Sequence, residues 1–249
     1  MKKGILVASF GTSYEETRVK CIESIENLVK EKYSADVFER AFTSNIIRRK
    51  LKARDNMHIY SPQEGLDALK GRGFDQIVTL SLHILDGFEY AKLSKEYGPV
   101  AKPLLYKEED YTRIAEDRSF NDLKGCDALI FMGHGSEHTV ADKAYGKLQD
   151  EYRRLGQNDI YIGTVEGETT LDDIIEDIRE KGYKKILLKP FMIVAGDHAQ
   201  NDMASDEEDS WKTILMDLGY EVEIDMSGMG EYKVVQDLFM EKLEQAMME

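Results

Sequence analysis

The sequence predicts an α/β fold of two similar lobes, each a parallel sheet flanked by helices. Three observations carry this. Short, continuous apolar runs alternate with helical patterns along all 249 residues, the pattern of parallel strands buried on both faces. The cycle of strands and helices restarts near the middle of the chain. The two cycles also share short matches, with Gly73–Ile77 aligning on Gly182–Ile186 at an offset of 109 and Phe10-Gly11 on His134-Gly135 at an offset of 124. The boundary is expected between residues 1–125 and 126–249.

In the first half, Ile5–Phe10 reads as a strand ending at Gly11-Thr12, followed by a helical pattern over Tyr14–Lys32. Val37–Phe42 is the second strand, after which comes the basic run Arg48–Arg54. Pro62–Gly71 reads as a helix, Ile77–Ile84 as a strand, and a further helix starts near Glu89. Val100–Tyr106 is an edge-strand candidate because Pro103 interrupts it. In the second half, Ala128–Met132, Ile160–Val165, Ile186–Val194 and Tyr220–Ile224 read as strands. Between and after them come helices over Val140–Arg154, Leu171–Lys181, His198–Leu218 and Tyr232–Met248. Ile174, Ile175 and Ile178 share one face of the second of these.

Composition excludes several classes. With 42% hydrophobic and 33% charged residues the chain is an ordinary globular one. No apolar run approaches the roughly 18 residues of a membrane helix. The N-terminal apolar run is too short for a signal peptide, so a cytoplasmic location is expected. Cys21 and Cys126 stand alone, which offers neither a disulfide framework nor a zinc knuckle. The net charge is −15. It is unevenly spread, because residues 1–125 sum to +1 and residues 126–249 to −16. Nucleic acid and anionic membranes are therefore not expected partners. An acidic half attracts cations, although solubility alone also accounts for the charge.

Polar residues cluster where the strands of the second half end. His134 follows the first, Glu166 the second, and Asp197-His198 the third. Open parallel sheets place ligands beyond the carboxyl ends of their strands, here in a cleft expected between the lobes. Two imidazoles and a carboxylate suit a divalent ion such as cobalt, nickel, iron or zinc, with coordination positions left open. Gly133, Gly135, Gly167 and Gly196 would allow close approach of a bulky ligand. The first-half counterparts are Phe10, Thr43 and Glu89, of which only Glu89 ligates well, so one lobe ligates and the other largely does not. Each histidine taken singly also reads as an ordinary loop or core residue.

Other candidates stay open. His134 and His138 have the i, i+4 spacing of a helical metal pair, but the glycines around His134 favour a loop. His83 either touches a substrate or is a hydrogen-bonded core residue; His58 reads as a loop residue. Arg48–Arg54 is a solvated helix face or a clamp for a carboxylate-rich substrate. Asp206-Glu207-Glu208-Asp209 is a solvated face of the helix after His198, or a metal-delivery path. No Walker A loop, dinucleotide fingerprint or nucleophile elbow is present.

Six motifs, taken together and in order, resemble the anaerobic cobalt chelatases, sirohydrochlorin cobaltochelatases of class II related to ferrochelatase. They are Ser9-Phe10-Gly11-Thr12, Ala41-Phe42-Thr43-Ser44, Ser81-Leu82-His83, Gly133-His134-Gly135, Val165-Glu166-Gly167 and Gly196-Asp197-His198-Ala199. The resemblance spans essentially the whole chain. It implies two similar lobes with a tetrapyrrole in the cleft, and His134, Glu166 and His198 as metal ligands and proton handlers. It implies ATP-independent insertion of Co²⁺ into sirohydrochlorin or precorrin-2, a lyase-class reaction of cobalamin synthesis. No cofactor is implied beyond the metal substrate, for which Fe²⁺ or Ni²⁺ are alternatives. Phe10, Gly11, Thr12, Ser81, His83 and Glu89 are the expected substrate-binding residues. The partners are a tetrapyrrole and a divalent metal, and homo-oligomerisation is left open. A non-catalytic metal or tetrapyrrole carrier would use the same ligands without turnover.

Overall fold

A computed structural model describes residues 3–34, 37–135 and 139–248. Two parallel sheets are present, as the apolar runs predict. The first has strand order β2-β1-β3, built from β1 (Lys3–Ser9), β2 (Phe38–Phe42) and β3 (Gln76–Ser81). The second has order β5-β4-β6-β7, built from β4 (Ala128–Gly133), β5 (Ile160–Thr164), β6 (Lys185–Phe191) and β7 (Glu221–Ile224). The first three strands of each sheet are therefore arranged alike, the earliest in the middle. All pairings are parallel, with Ala8 beside both Ala41 and Ser81, and Gly133 beside both Thr164 and Phe191.

The chain divides into two compact units. One is Met1–Tyr106 together with Val235–Glu249; the other is Lys107–Val234. The expected break at 125/126 differs from this division in two respects. Helix α6 (Glu108–Glu116) belongs with the second unit, where it packs on α7 (Thr139–Arg154) and Thr112 donates to Glu151. Most of the C-terminal helix α10 (Lys233–Met248) belongs with the first, where Lys3 donates to the Met247 carbonyl and Lys32 pairs with Glu244.

In the first unit β1 is buried from Gly4 to Ser9. A helical stretch follows it, formed by α1 (Glu15–Thr17), the π-helical Arg18–Glu23 and α2 (Ser24–Tyr33). Helix α3 (Asn45–Asp55) starts at Ser44, whose hydroxyl accepts from Ile47 N. Helix α4 (Pro62–Gly71) has Pro62 at its first position and a reciprocal Ser61/Glu64 cap. Leu66 and Leu69 from α4 pack with Leu6, Ala41, Phe74 and Ile77. Helix α5 (Phe88–Glu96) follows β3.

The strand expected over Val100–Tyr106 does not form. One bridge joins Val100 to Thr79, and Pro103, having no N–H, cannot extend a ladder. Leu104 N and Leu105 N instead donate to the carbonyls of His83 and Ile84.

In the second unit, α8 (Leu171–Ile178) begins at a Thr170/Asp173 cap and buries Ile174, Ile175 and Ile178 on the sheet. The single helix expected over His198–Leu218 is two pieces. A π-helical turn spans Ala199–Met203, and α9 (Trp211–Asp217) starts at buried Ser210, which accepts from Thr213 N. The Asp206–Asp209 run lies in the turn before that cap rather than on a helix. The helix restarts at the Ser210 cap, and Asp206 of the turn pairs with Lys212 in its first turn. Among the described residues no helix is long and apolar enough to cross a membrane.

Candidate metal and substrate site

The second unit assembles three of the expected residues at the carboxyl ends of β4, β5 and β6. His134 is the first residue beyond β4. The ladder continues past the strand ends, since Val165 N donates to Gly133 O at 3.1 Å and Glu166 N to His134 O at 2.9 Å. Glu166 is thereby locked beside His134 through the backbone. Helix α7 shapes this turn from below. A Cβ on Gly133 would stand 2.5 Å from the Tyr145 ring, and the Tyr145 hydroxyl accepts from Gly135 N at 3.4 Å. Burial pushes the Tyr145 phenol up to about 12, so it stays a neutral hydroxyl. Asp142 accepts from Glu168 N at 2.7 Å and fills the space beside Gly167.

Gly135 has φ +84°, and a Cβ there would lie 2.5 Å from the backbone nitrogen of Gly167. Only glycine meets both demands.

The His134 and His198 rings lie 4.5 Å apart, edge to face at 87°. His134 Nδ1 is 3.8 Å from Glu166 Oε2. The three side chains are partly open to solvent, at 47% for His134, 57% for Glu166 and 37% for His198. Ions can therefore reach them. Among the described residues no group of three His, Cys, Asp or Glu side chains is preassembled around one metal position. Bringing all three onto one ion requires rotation of these exposed side chains. His134 Nδ1 also lies 3.2 Å from the Gly135 carbonyl. A carbonyl only accepts, so Nδ1 carries the proton and Nε2 presents its lone pair.

Asp202 is the residue that the sequence reading missed. Its Oδ2 accepts from His198 Nδ1 at 2.5 Å. The i, i+4 spacing across the Ala199–Met203 turn was a legible signal. His138, the other half of the supposed helical pair, lies outside the described residues, and His134 stands in a loop.

The first unit places its expected residues at the equivalent strand ends. Phe10 follows β1 and is exposed. Gly11 has φ +93°, and a Cβ there would meet the buried Phe42 ring at 2.4 Å. Thr12 is buried and accepts from Tyr14 N. Ser81 ends β3, and its hydroxyl lies 2.7 Å from His83 Nδ1. His83 Nε2 is shut from solvent with no hydrogen-bond partner. Burial drives the His83 imidazole down to about 4, against the opposite pull of Glu89 in the first turn of α5. This histidine is neutral at pH 7.

In the basic run, Arg48 lies 3.6 Å from Glu64, and Arg54 pairs with Asp55 and donates to the Ser13 carbonyl. Lys50 lies over the Tyr14 ring, and His58 packs edge-on against Tyr60.

Comparison with known proteins places the chain among the cobalt chelatases. The family model described as cobalt chelatase (CbiK) matches residues 3–248. A sirohydrochlorin cobaltochelatase of Salmonella typhimurium is 37% identical over 99% of this chain and 97% of its own length. Sirohydrochlorin cobaltochelatase CbiKC of Nitratidesulfovibrio vulgaris is 30% identical over 97% of this chain and 89% of its own. Among solved structures, SirB from Bacillus subtilis with Fe3+ aligns with a TM-score of 0.64 at 12% identity, covering 99% of this chain and 96% of that one, and so shares the fold. With a family match across nearly its whole length, the chain belongs to the cobalt chelatase (CbiK) family.

Proposed function

We propose that this protein is a sirohydrochlorin cobaltochelatase, a lyase-class enzyme of cobalamin synthesis that inserts Co²⁺ into sirohydrochlorin without ATP. The observation that carries the reading is the edge-to-face His134–His198 pair with Glu166 beside it, at three adjacent strand ends of a cobalt chelatase family chain. Imidazole and carboxylate ligands suit a borderline divalent ion, and partial exposure lets the ion enter and leave.

In the reaction Co²⁺ and the protonated macrocycle give the cobalt complex and two protons. The Nε2 atoms of His134 and His198 and the carboxylate of Glu166 hold the ion until four ring nitrogens replace them. Two of the three protein ligands, once released, act as bases for the two departing pyrrole protons. A carboxylate also lowers the cost of desolvating the dication. Phe10, Gly11, Thr12, Ser81, His83 and Glu89 are the proposed tetrapyrrole contacts. Phe10 supplies an exposed apolar surface for a ring, and His83 an uncharged imidazole. No cofactor beyond the metal substrate is needed, and the proposed location is the cytoplasm.

The test is a visible-spectrum titration. Protein is mixed with sirohydrochlorin and excess Co²⁺, with parallel Fe²⁺ and Ni²⁺ samples. Conversion of many equivalents per protein supports an enzyme; conversion that stops near one equivalent identifies a carrier. Faster turnover with Fe²⁺ or Ni²⁺ would reassign the metal.

A further inference from the structure

The two histidines have different partners at Nδ1. His198 Nδ1 donates to the Asp202 carboxylate at 2.5 Å. His134 Nδ1 faces a neutral carbonyl at 3.2 Å, and the Glu166 carboxylate only at 3.8 Å. The frame under His198 is anchored in the core. Ala199 and Met203, which bracket the π-helical turn, are fully buried in the sheet core with Ala195. Gln200 N closes the turn onto Gly196 O. His198 and Asp202 thus project together from one anchored turn.

An imidazole that donates Nδ1–H to a carboxylate is fixed in tautomer and ring orientation, so its Nε2 lone pair is held ready for an ion. The longer contact of His134 with a neutral carbonyl holds its ring less firmly.

We infer that Asp202 is a positioning residue that makes His198 the anchoring ligand for Co²⁺, leaving His134 as the ligand that lets go first. The inference rests on the reading of both histidines as Co²⁺ ligands. It gives insertion an order: the ion stays on His198 while His134 is freed to take a proton.

Co²⁺ affinity is measured by titration on the full chain for wild type, Asp202→Asn, His198→Ala, His134→Ala and the double variant His198→Ala/Asp202→Asn. Sirohydrochlorin affinity and thermal melting are recorded for each. Asp202→Asn is expected to weaken Co²⁺ binding by roughly 10-fold or more, the usual scale for loss of a ligand's orienting partner. Sirohydrochlorin binding should stay unchanged. In the His198→Ala background the same substitution should cost less than about 2-fold, because an effect transmitted through a side chain vanishes with that side chain. His198→Ala should weaken Co²⁺ more than His134→Ala.

Equal losses from Asp202→Asn in both backgrounds would show a general charge or folding effect and overturn the inference, as would a greater loss from His134→Ala than from His198→Ala. If His198→Ala weakens Co²⁺ but Asp202→Asn does not, the inference alone fails. If neither histidine variant changes Co²⁺ affinity, the metal-site reading fails with it.

Discussion

The strand ends of the two units invite comparison, because the first three strands of each sheet are arranged alike and their exits carry different chemistry. In the second unit the exits present two partly exposed imidazoles and a carboxylate. In the first unit they present an exposed phenyl ring at Phe10, buried hydroxyls at Thr12 and Ser81, and a histidine too buried to charge at neutral pH. His134 and His83 show the difference most clearly. Both are imidazoles just beyond a strand, yet solvent reaches one while the other has a sequestered Nε2. One backbone plan thus presents two accessible imidazoles and a carboxylate in one unit and an exposed ring with buried polar groups in the other.

The largest expected effect removes the imidazoles. His134→Ala and His198→Ala should each lower insertion by about 100-fold or more, the scale of a lost acid–base group and ligand. Both side chains are partly exposed, so circular dichroism and melting should change little. Near-wild-type rates in either variant would remove that histidine from the site.

The glycines that follow the matching positions sharpen the comparison. Gly11 and Gly135 both have positive φ, but an added Cβ meets a side chain, Phe42, in one case and the Gly167 backbone in the other. Alanine at either position should cost about 1–2 kcal/mol or more through the left-handed backbone alone. Gly135→Ala should also push the Glu166 loop away and weaken Co²⁺ binding several-fold. Gly11→Ala should leave Co²⁺ affinity unchanged. Melting curves and Co²⁺ titrations of the two variants distinguish these outcomes, and equal Co²⁺ losses would erase the proposed division of labour.

A smaller effect concerns the charge difference, −16 in residues 126–249 against +1 in the rest. If that charge gathers cations, the apparent KM for Co²⁺ should rise with salt, since screening shortens to about 3 Å at 1 M. A KM flat in ionic strength would leave solubility as the role of the charge.

The smallest effect is on stability. His83 has its pKa lowered from 6.5 to about 4 by folding, so between those values the unfolded chain binds more protons. Its contribution therefore favours folding less as pH falls from 6.5 to 4. His83→Gln should flatten the stability–pH curve in that window, as read by denaturant titration. An unchanged slope would place the imidazole in a solvated setting.

Much of this was legible in the sequence, because buried parallel strands must be continuous apolar runs and glycines must stand where backbones touch. The missed pieces have physical reasons. Helix α3 was legible only as the solvated helix face of Arg48–Arg54, because it buries only Leu51 and carries little amphipathic signal beyond its Ser44 cap. Helix α6 buries Tyr111, Ile114 and Ala115 on one face, a pattern short enough to escape notice between two loops. Helix α10 buries Val235, Leu238, Phe239 and Leu243, and its place in the first unit is set by long-range contacts that no local pattern reveals. Asp202 was legible in its i, i+4 spacing from His198 and went unread because the Asp206–Asp209 run drew attention as the acidic feature of that segment. The π-helical turn there is a local departure that only coordinates display.

The central claim is that metal and ring are held by different residues, the metal by His134, His198 and Glu166. The most direct measurement is a pair of separate titrations, Co²⁺ alone and sirohydrochlorin alone, on Glu166→Gln. This substitution keeps the shape of the side chain and removes its charge and basicity. The account predicts weakened Co²⁺ binding, by less than for either histidine variant, with sirohydrochlorin binding retained. Unchanged Co²⁺ affinity together with collapsed sirohydrochlorin binding would contradict it, and would move Glu166 from the metal to the ring.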